Sequence, residues 1–229
     1  MPSLNDLLTG LVESGTVNTE LLVEVLEKLA EIQAKAVYHS FWIDPAAGDN
    51  TNDGLTAAAA LQSPATAIAR TPPGSFVECL MLGHYTMDQD LINGGRWVKA
   101  RGVNALGEPA QRQWVQTVSA GAARRLICRD GAGGWLLQKL DIVPARTAIS
   151  SGPTALVTGH LKMLRLLDCG IDVDGSTTVS IMGQDGISLL EVDTVTAITD
   201  ALAGYWVGGV SAGVNPNTLG KVLTNLTSL

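Results

Sequence analysis

Three aspartates, two asparagines and two glycines fall within the twelve residues 44–55, DPAAGDNTNDGL. That density of oxygen-bearing side chains is what a calcium loop needs. Read as an EF-hand, Asp49, Thr51, Asp53 and Gly54 take loop positions one, three, five and six. The twelfth position is then Ala60, where a bidentate Glu is required. The EF-hand is excluded, and no metal or cofactor is expected. The same residue types build turns, because Asp and Asn side chains accept hydrogen bonds from nearby backbone and glycine admits positive φ. The loop is read as turn-making.

Carboxylates elsewhere suggest glycoside cleavage, which needs two carboxyl groups about 5–9.5 Å apart. Asp172 and Asp174 alternate, which on a strand puts both on one side at about 6–7 Å. They are the candidate catalytic residues of an enzymatic reading. Asp130, Asp168, Asp185, Glu191 and Asp193 could join them through stacking, and no pairing is assigned. The Asp-Gly steps at 130–131, 174–175 and 185–186 also read as turns. Lys139, Lys162 and Arg165 are the basic groups a lyase would draw on, without a recognisable constellation around them. No nucleophile elbow, zinc-protease or phosphate-loop motif occurs. His39, His84 and His160 are remote from one another in sequence and read as structural. Trp97, Trp114, Trp135 and Trp206 would stack on sugar rings if exposed, and would fill corners or an interface between chains if not.

Composition narrows the classes. The 229 residues carry a net charge of −7, with 46% hydrophobic and 16% charged residues and 25 glycines. Dense basic spots are confined to Arg124-Arg125 and the scattered Arg96, Lys99 and Arg101. That is not the footprint of a phosphate-backbone binder, so no nucleic acid is expected. Cys79, Cys128 and Cys169 lie far apart and read as small buried hydrophobes in reduced form, which suits assembly in a cytosol. No secretory signal and no apolar run of membrane-spanning length are visible. Asn225-Leu226-Thr227 therefore reads as a chance match to a glycosylation acceptor.

The elements that must position these groups change character at Tyr38. Residues 1–37 read as helix, with Ser3 and Asp6 close to a capping box and Asn18 or Thr19 capping a second stretch. Leu22, Val25, Leu29, Ile32 and Ala36 repeat at 3-4 spacing, an a/d seam with Glu24, Glu27, Lys28, Glu31 and Lys35 mostly off it. An isolated helix of that length is marginal in water, so the seam needs a partner. It packs either on its own domain or in a short bundle of identical chains, and the bundle is the expectation.

From Tyr38 onward the chain reads as short strands broken by Gly, Asp and Asn: 38–43, 75–83, 96–102, 112–119, 124–131, 134–143, 154–175, 177–199 and 204–214. Residues 66–69 form a short helix, and 218–229 form a last strand or a cap. The strands are too short and frequent for βαβ units; a sandwich, a barrel or a solenoid fits. Short runs turning at Gly, Asp and Asn favour the coils of a parallel β-helix, though no fixed repeat period emerges.

The stretch 38–86 adds a resemblance. Asp44, Pro45, Gly48, Asn52, Asp53, Gly54 and Leu55, then Pro64, Thr66 and Ile68, then Pro73, Gly74, Gly83 and Tyr85 resemble the entry segment of right-handed parallel β-helix proteins of the pectate-lyase-like superfold. Among these the segment looks like that of phage tail spikes and tail fibres. It covers about fifty residues, and its helix, within ATAIAR, is shorter than the usual form. The same fold hosts lyases, hydrolases and inert fibres, so the resemblance bears on fold more than function.

The resulting expectation is an all-β chain, a right-handed parallel β-helix over 38–229 with 44–74 as entry loop and cap, preceded by a short coiled-coil segment over 1–37. At roughly 20–25 residues per coil it would hold about eight coils. By resemblance the protein is a homotrimer in a virion tail, assembled in the host cytoplasm. Residues 1–37 would dock it to other tail or baseplate proteins, and the β-domain would contact a host surface polysaccharide or another fibre protein. That role is structural and non-catalytic. A polysaccharide-depolymerising enzyme and a bacterial carbohydrate-binding module are the alternatives.

Overall fold

The computed structural model describes residues 37–119, 122–129, 133–145, 155–172, 180–194, 196 and 206–229. The seam residues Leu22, Val25, Leu29, Ile32 and Ala36 lie outside the described residues, as do Asp130, Asp174 and Tyr205.

The chain is all-β and its strands are short. In order they are β1 (Tyr38–Ile43), β2 (Phe76–Met81), β3 (Tyr85–Thr86), β4 (Leu91–Ile92), β5 (Trp97–Gly102), β6 (Arg112–Val115), β7 (Val118–Ser119), β8 (Ala122–Ala123) and β9 (Leu126–Cys128). Then follow β10 (Gly134–Gln138), β11 (Leu140–Val143), β12 (Ala155–Gly159), β13 (Leu161–Leu167), β14 (Gly170–Ile171), β15 (Ser180–Met182), β16 (Ile187–Val192) and β17 (Val222–Thr224). One helix, α1 (Pro64–Arg70), follows the 44–55 loop, capped by the Ser63 hydroxyl with Pro64 in its first turn.

Three parallel sheets result, with orders β1-β2-β5-β10-β13-β16-β17, β3-β6-β11-β14 and β4-β9-β12-β15. From β2 to β15 the chain visits the long, second and third sheets in fixed rotation, adding one strand to each per circuit. Only β7 and β8 leave this path, as a small antiparallel ribbon between β6 and β9. A parallel bridge from Met182 to Val207 continues the third sheet beyond β15.

Circuit length varies widely. Following the long sheet, Phe76 lies opposite Trp97, Trp97 opposite Gly134, Trp135 opposite Leu164, Leu164 opposite Leu190 and Leu190 opposite Thr224. Those numbers differ by 21, 37, 29, 26 and 34.

The interior is solid. Along the inner face of the long sheet one row runs Phe41, Cys79, Ala100, Leu137, Leu166, Val192, with two small residues, Cys79 and Ala100, between the bulkier Phe41 and Leu137. Trp114 and Trp135, both fully buried, fill the middle, and Trp114 meets Tyr85 edge to face at 4.9 Å. Corners bring backbone groups out of the ladders, and buried side chains satisfy them. Gln116 accepts from Ala145 N–H and donates to Arg124 O and Ala155 O. Asn93 accepts from Arg129 N–H and donates to Arg96 O.

At the corner after the long sheet, Lys139 and Asp168 adopt φ of 54° and 52°. They follow Gln138 and Leu167, which pair across β10 and β13, so the two left-handed residues stack and form an ion pair. Non-glycine residues in that conformation cost about 1–2 kcal/mol each.

Candidate functional site

The 44–55 loop spends its side chains on its own backbone. Asp44 Oδ1 accepts from Ala46 and Ala47 N–H, Asp49 Oδ1 from Thr51 N–H and hydroxyl, and Asp53 Oδ1 from Leu55 N–H. The Thr51 bonds hold the Asp49 carboxyl below its ordinary range. Asn50 Oδ1 accepts from Gln62 and Ser63 N–H, while Arg70 of α1 donates to Asn52 O and Asn50 O at 2.5 and 2.7 Å. So folded, the loop lies along the edge of β1 that faces away from β2. Trp42 N–H donates to Gly54 O, Leu61 N–H to Trp42 O and Asp44 N–H to Leu61 O, at 2.8 to 2.9 Å. Gly48 is needed here, because a Cβ would sit 2.4 Å from Leu61 O. The cluster that looks like a ligand set is an edge cap.

The candidate carboxylates divide. Asp172 is exposed just past β14, its N–H bonded to Ile142 O at 2.8 Å, and Asp174 lies outside the described residues. Among the basic candidates, Arg165 is paired with Glu191 at 2.5 and 3.0 Å and Lys139 with Asp168. Lys162 is fully buried and donates to Asp185 O and to Gly159 O. Burial pushes its amine below the usual lysine value, against the pull of Asp185. His39 on β1 stacks on Phe41, His84 Nδ1 accepts from Gln113 N–H, and His160 sits between β12 and β13; the fold does not bring the three together.

The four candidate tryptophans are all buried: Trp114 and Trp135 at 0% exposure, Trp97 and Trp206 at 3%. None presents an indole face on which a sugar could stack, which corrects that expectation. Trp114, Trp135 and Trp206 belong to the interior cluster, as filling side chains do. Trp97 is outside it, on the outer face of the long sheet.

That outer face joins charged groups that the sequence names only separately, Lys99, Arg101, Arg165 and Glu191, and adds Glu78, which no motif marks. Glu78 on β2 pairs with Lys99 and Arg101 on β5, each at 3.1 Å, and accepts from the Tyr38 hydroxyl. Burial alone would raise the Glu78 carboxyl, but Tyr38, Lys99 and Arg101 outweigh it and hold the group below its ordinary value. Burial and the same carboxylate push the Tyr38 phenol up. Farther along the sheet, Arg165 and Glu191 lie directly opposite on β13 and β16. The side chains of Lys99, Arg101, Arg165 and Glu191 keep 22 to 32% exposure. Their signal is present in the sequence as charges set within otherwise apolar strands, Glu78 in FVECLM and Arg165 in LKMLRLL.

Among the described residues no group of three or more His, Cys, Asp or Glu side chains could hold a metal ion. No described helix is long and apolar enough to cross a membrane. No family model, curated protein or solved structure matches the chain.

Proposed function

We propose that the protein is a non-catalytic structural or attachment component of a phage tail, a tail fibre or tail spike built on a right-handed parallel β-helix. The observation that carries this reading is the rotation of the chain through three parallel sheets, with the first edge sealed by residues 44–61. A stack of that kind is stiff, grows in one direction and needs a cap at its end. The handedness follows from the rule for parallel crossovers. The residues that seal the edge, including Asp44, Gly48, Asn52, Asp53 and Gly54, are those that resemble the entry segment of tail-spike and tail-fibre β-helices. In this reading the chain is a homotrimer held to other tail or baseplate proteins in the virion. The charged outer row around Glu78, Lys99, Arg101, Arg165 and Glu191 supplies polar groups for a host surface polysaccharide or a neighbouring fibre protein.

The competing reading is a depolymerising enzyme, which the exposure of Asp172 keeps open to test. Incubation with capsular or O-antigen polysaccharide should release no new reducing ends. Release that disappears in Asp172→Asn or Asp174→Asn would replace the structural reading with the enzymatic one. Sedimentation should give a trimer, and a monomer at micromolar concentration would count against the fibre.

A further inference from the structure

The far end of the stack closes differently from the first. Among the described strands β17, the last of the long sheet, has one neighbour, β16, and its other edge is where a further strand would add. Sheet edges are ordinarily blunted by charged side chains, yet residues 206–229 carry a single one, Lys221. The chain itself does the closing. Before β17, a short 3-10 helix at Pro216–Thr218 packs against the strand, and Val222 N–H turns back to Leu219 O at 3.2 Å. After β17, Asn225 continues the ladder with its side chain, accepting from Val192 N–H at 3.0 Å and donating to Val192 O at 2.6 Å. The chain then returns to Gly213 and Val214. Gly213 N–H donates to Leu229 O at 2.7 Å, and Leu229 N–H donates to Val214 O at 3.1 Å. The Leu229 side chain is 2% exposed and belongs to the interior cluster, against which Leu219 and Leu226 pack.

We infer that residues 225–229 are an autoinhibitory strap, which closes the end of the stack against a second copy of this chain, with Leu229 as its latch. Val222, Leu223 and Thr224 of β17 are apolar or β-branched, the kind of strand that pairs with its own copy when its edge is open. The first end offers no competing edge, because residues 44–61 are bonded along β1. Two opened far ends would therefore meet each other, β17 to β17. Such a contact uses the same surface on both copies and closes on itself, so it doubles the parent species and goes no further. The strap is held by two backbone bonds, the Asn225 amide and the burial of Leu229, a small part of what holds the stack. Its opening is thus a local event that leaves the ladders above it intact. The strap works in this way whether or not the protein is part of a tail.

Leu229→Asp sets a charge where an apolar side chain is buried and should release the strap. Sedimentation of the variant should show the parent species doubling in mass as concentration rises, with cooperative melting retained. Leu229→Met keeps the apolar side chain and should stay at the parent mass. A folded Leu229→Asp that stays at the parent mass at every concentration would overturn the strap's role. So would open-ended aggregation, which needs a second adhesive surface. Should Leu229→Asp lose cooperative melting, the unmodified protein decides. Its Gly213 and Leu229 amides should exchange at least about tenfold more slowly than those of an unstructured peptide. Exchange there at the unstructured rate, in a protein that does not double, would mean that the end stands open without consequence and that no strap is needed.

Discussion

At the residue scale, the buried ionisable groups set the response to pH. Burial raises the thiols of Cys79 to about 12 and of Cys128 and Cys169 to about 11. In the unfolded chain they titrate near the ordinary cysteine value, so above roughly pH 9 the unfolded state releases protons that the folded state keeps. Their contribution is complete below that value and is lost as pH rises through the folded values. Lys162 works the other way, because its lowered amine makes stability rise with pH over its window. Three thiols act in one direction and one amine in the other. The urea midpoint should fall between pH 8 and pH 10, by the equivalent of about 1.4 kcal/mol per thiol at one unit above its unfolded value. Cys79→Ala should flatten that slope. A slope unchanged by the substitution would show that something else titrates. Burial of these cysteines was legible, because their spacing offers no partner. Burial of Lys162 was not, since lysine is ordinarily a surface residue and nothing nearby in the sequence marks it as interior.

At the element scale, the cap depends on the close approach of Gly48 to Leu61. Gly48→Ala forces a Cβ against Leu61 O and should cost about 1–3 kcal/mol, as overpacking does. It should also release the loop from β1 and expose an unpaired strand edge. Light scattering should then show association that grows with concentration, while a variant that stays as dispersed as the parent would refute the capping role. Most strands were legible: 75–83 contains β2, 96–102 contains β5, and 134–143 contains β10 and β11. The break between β10 and β11 was not, because the corner is made by Lys139 in a left-handed conformation that lysine rarely adopts. The stretch 204–214 reads as a strand in sequence, but its described part, 206–214, makes only the single bridge at Val207, with Gly208 and Gly209 directly after it. The helix placed at 66–69 begins earlier, at Pro64, because Ser63 caps it.

At the scale of the whole molecule, uneven circuits explain why no repeat was visible. The ladders fix only the strands, and the chain between them varies by up to sixteen residues, from 21 to 37. Loop closure grows slowly with length, so surplus residues at a corner are inexpensive. Gly-Ser inserted after Leu106, which is 82% exposed, should leave the melting temperature nearly unchanged. One residue inserted after Val98 in β5 should abolish cooperative melting, because it turns the following inner-face residues outward. Equal tolerance at both places would mean that register does not hold the stack. Register has a further consequence, in time rather than space. In each of the three sheets, strands stack in the order in which they occur along the chain. Once β1, β3 and β4 have opened the three sheets, a nascent chain therefore presents each new strand of a sheet with a neighbour that has already been synthesised, and only those three wait for their first partner still to be made.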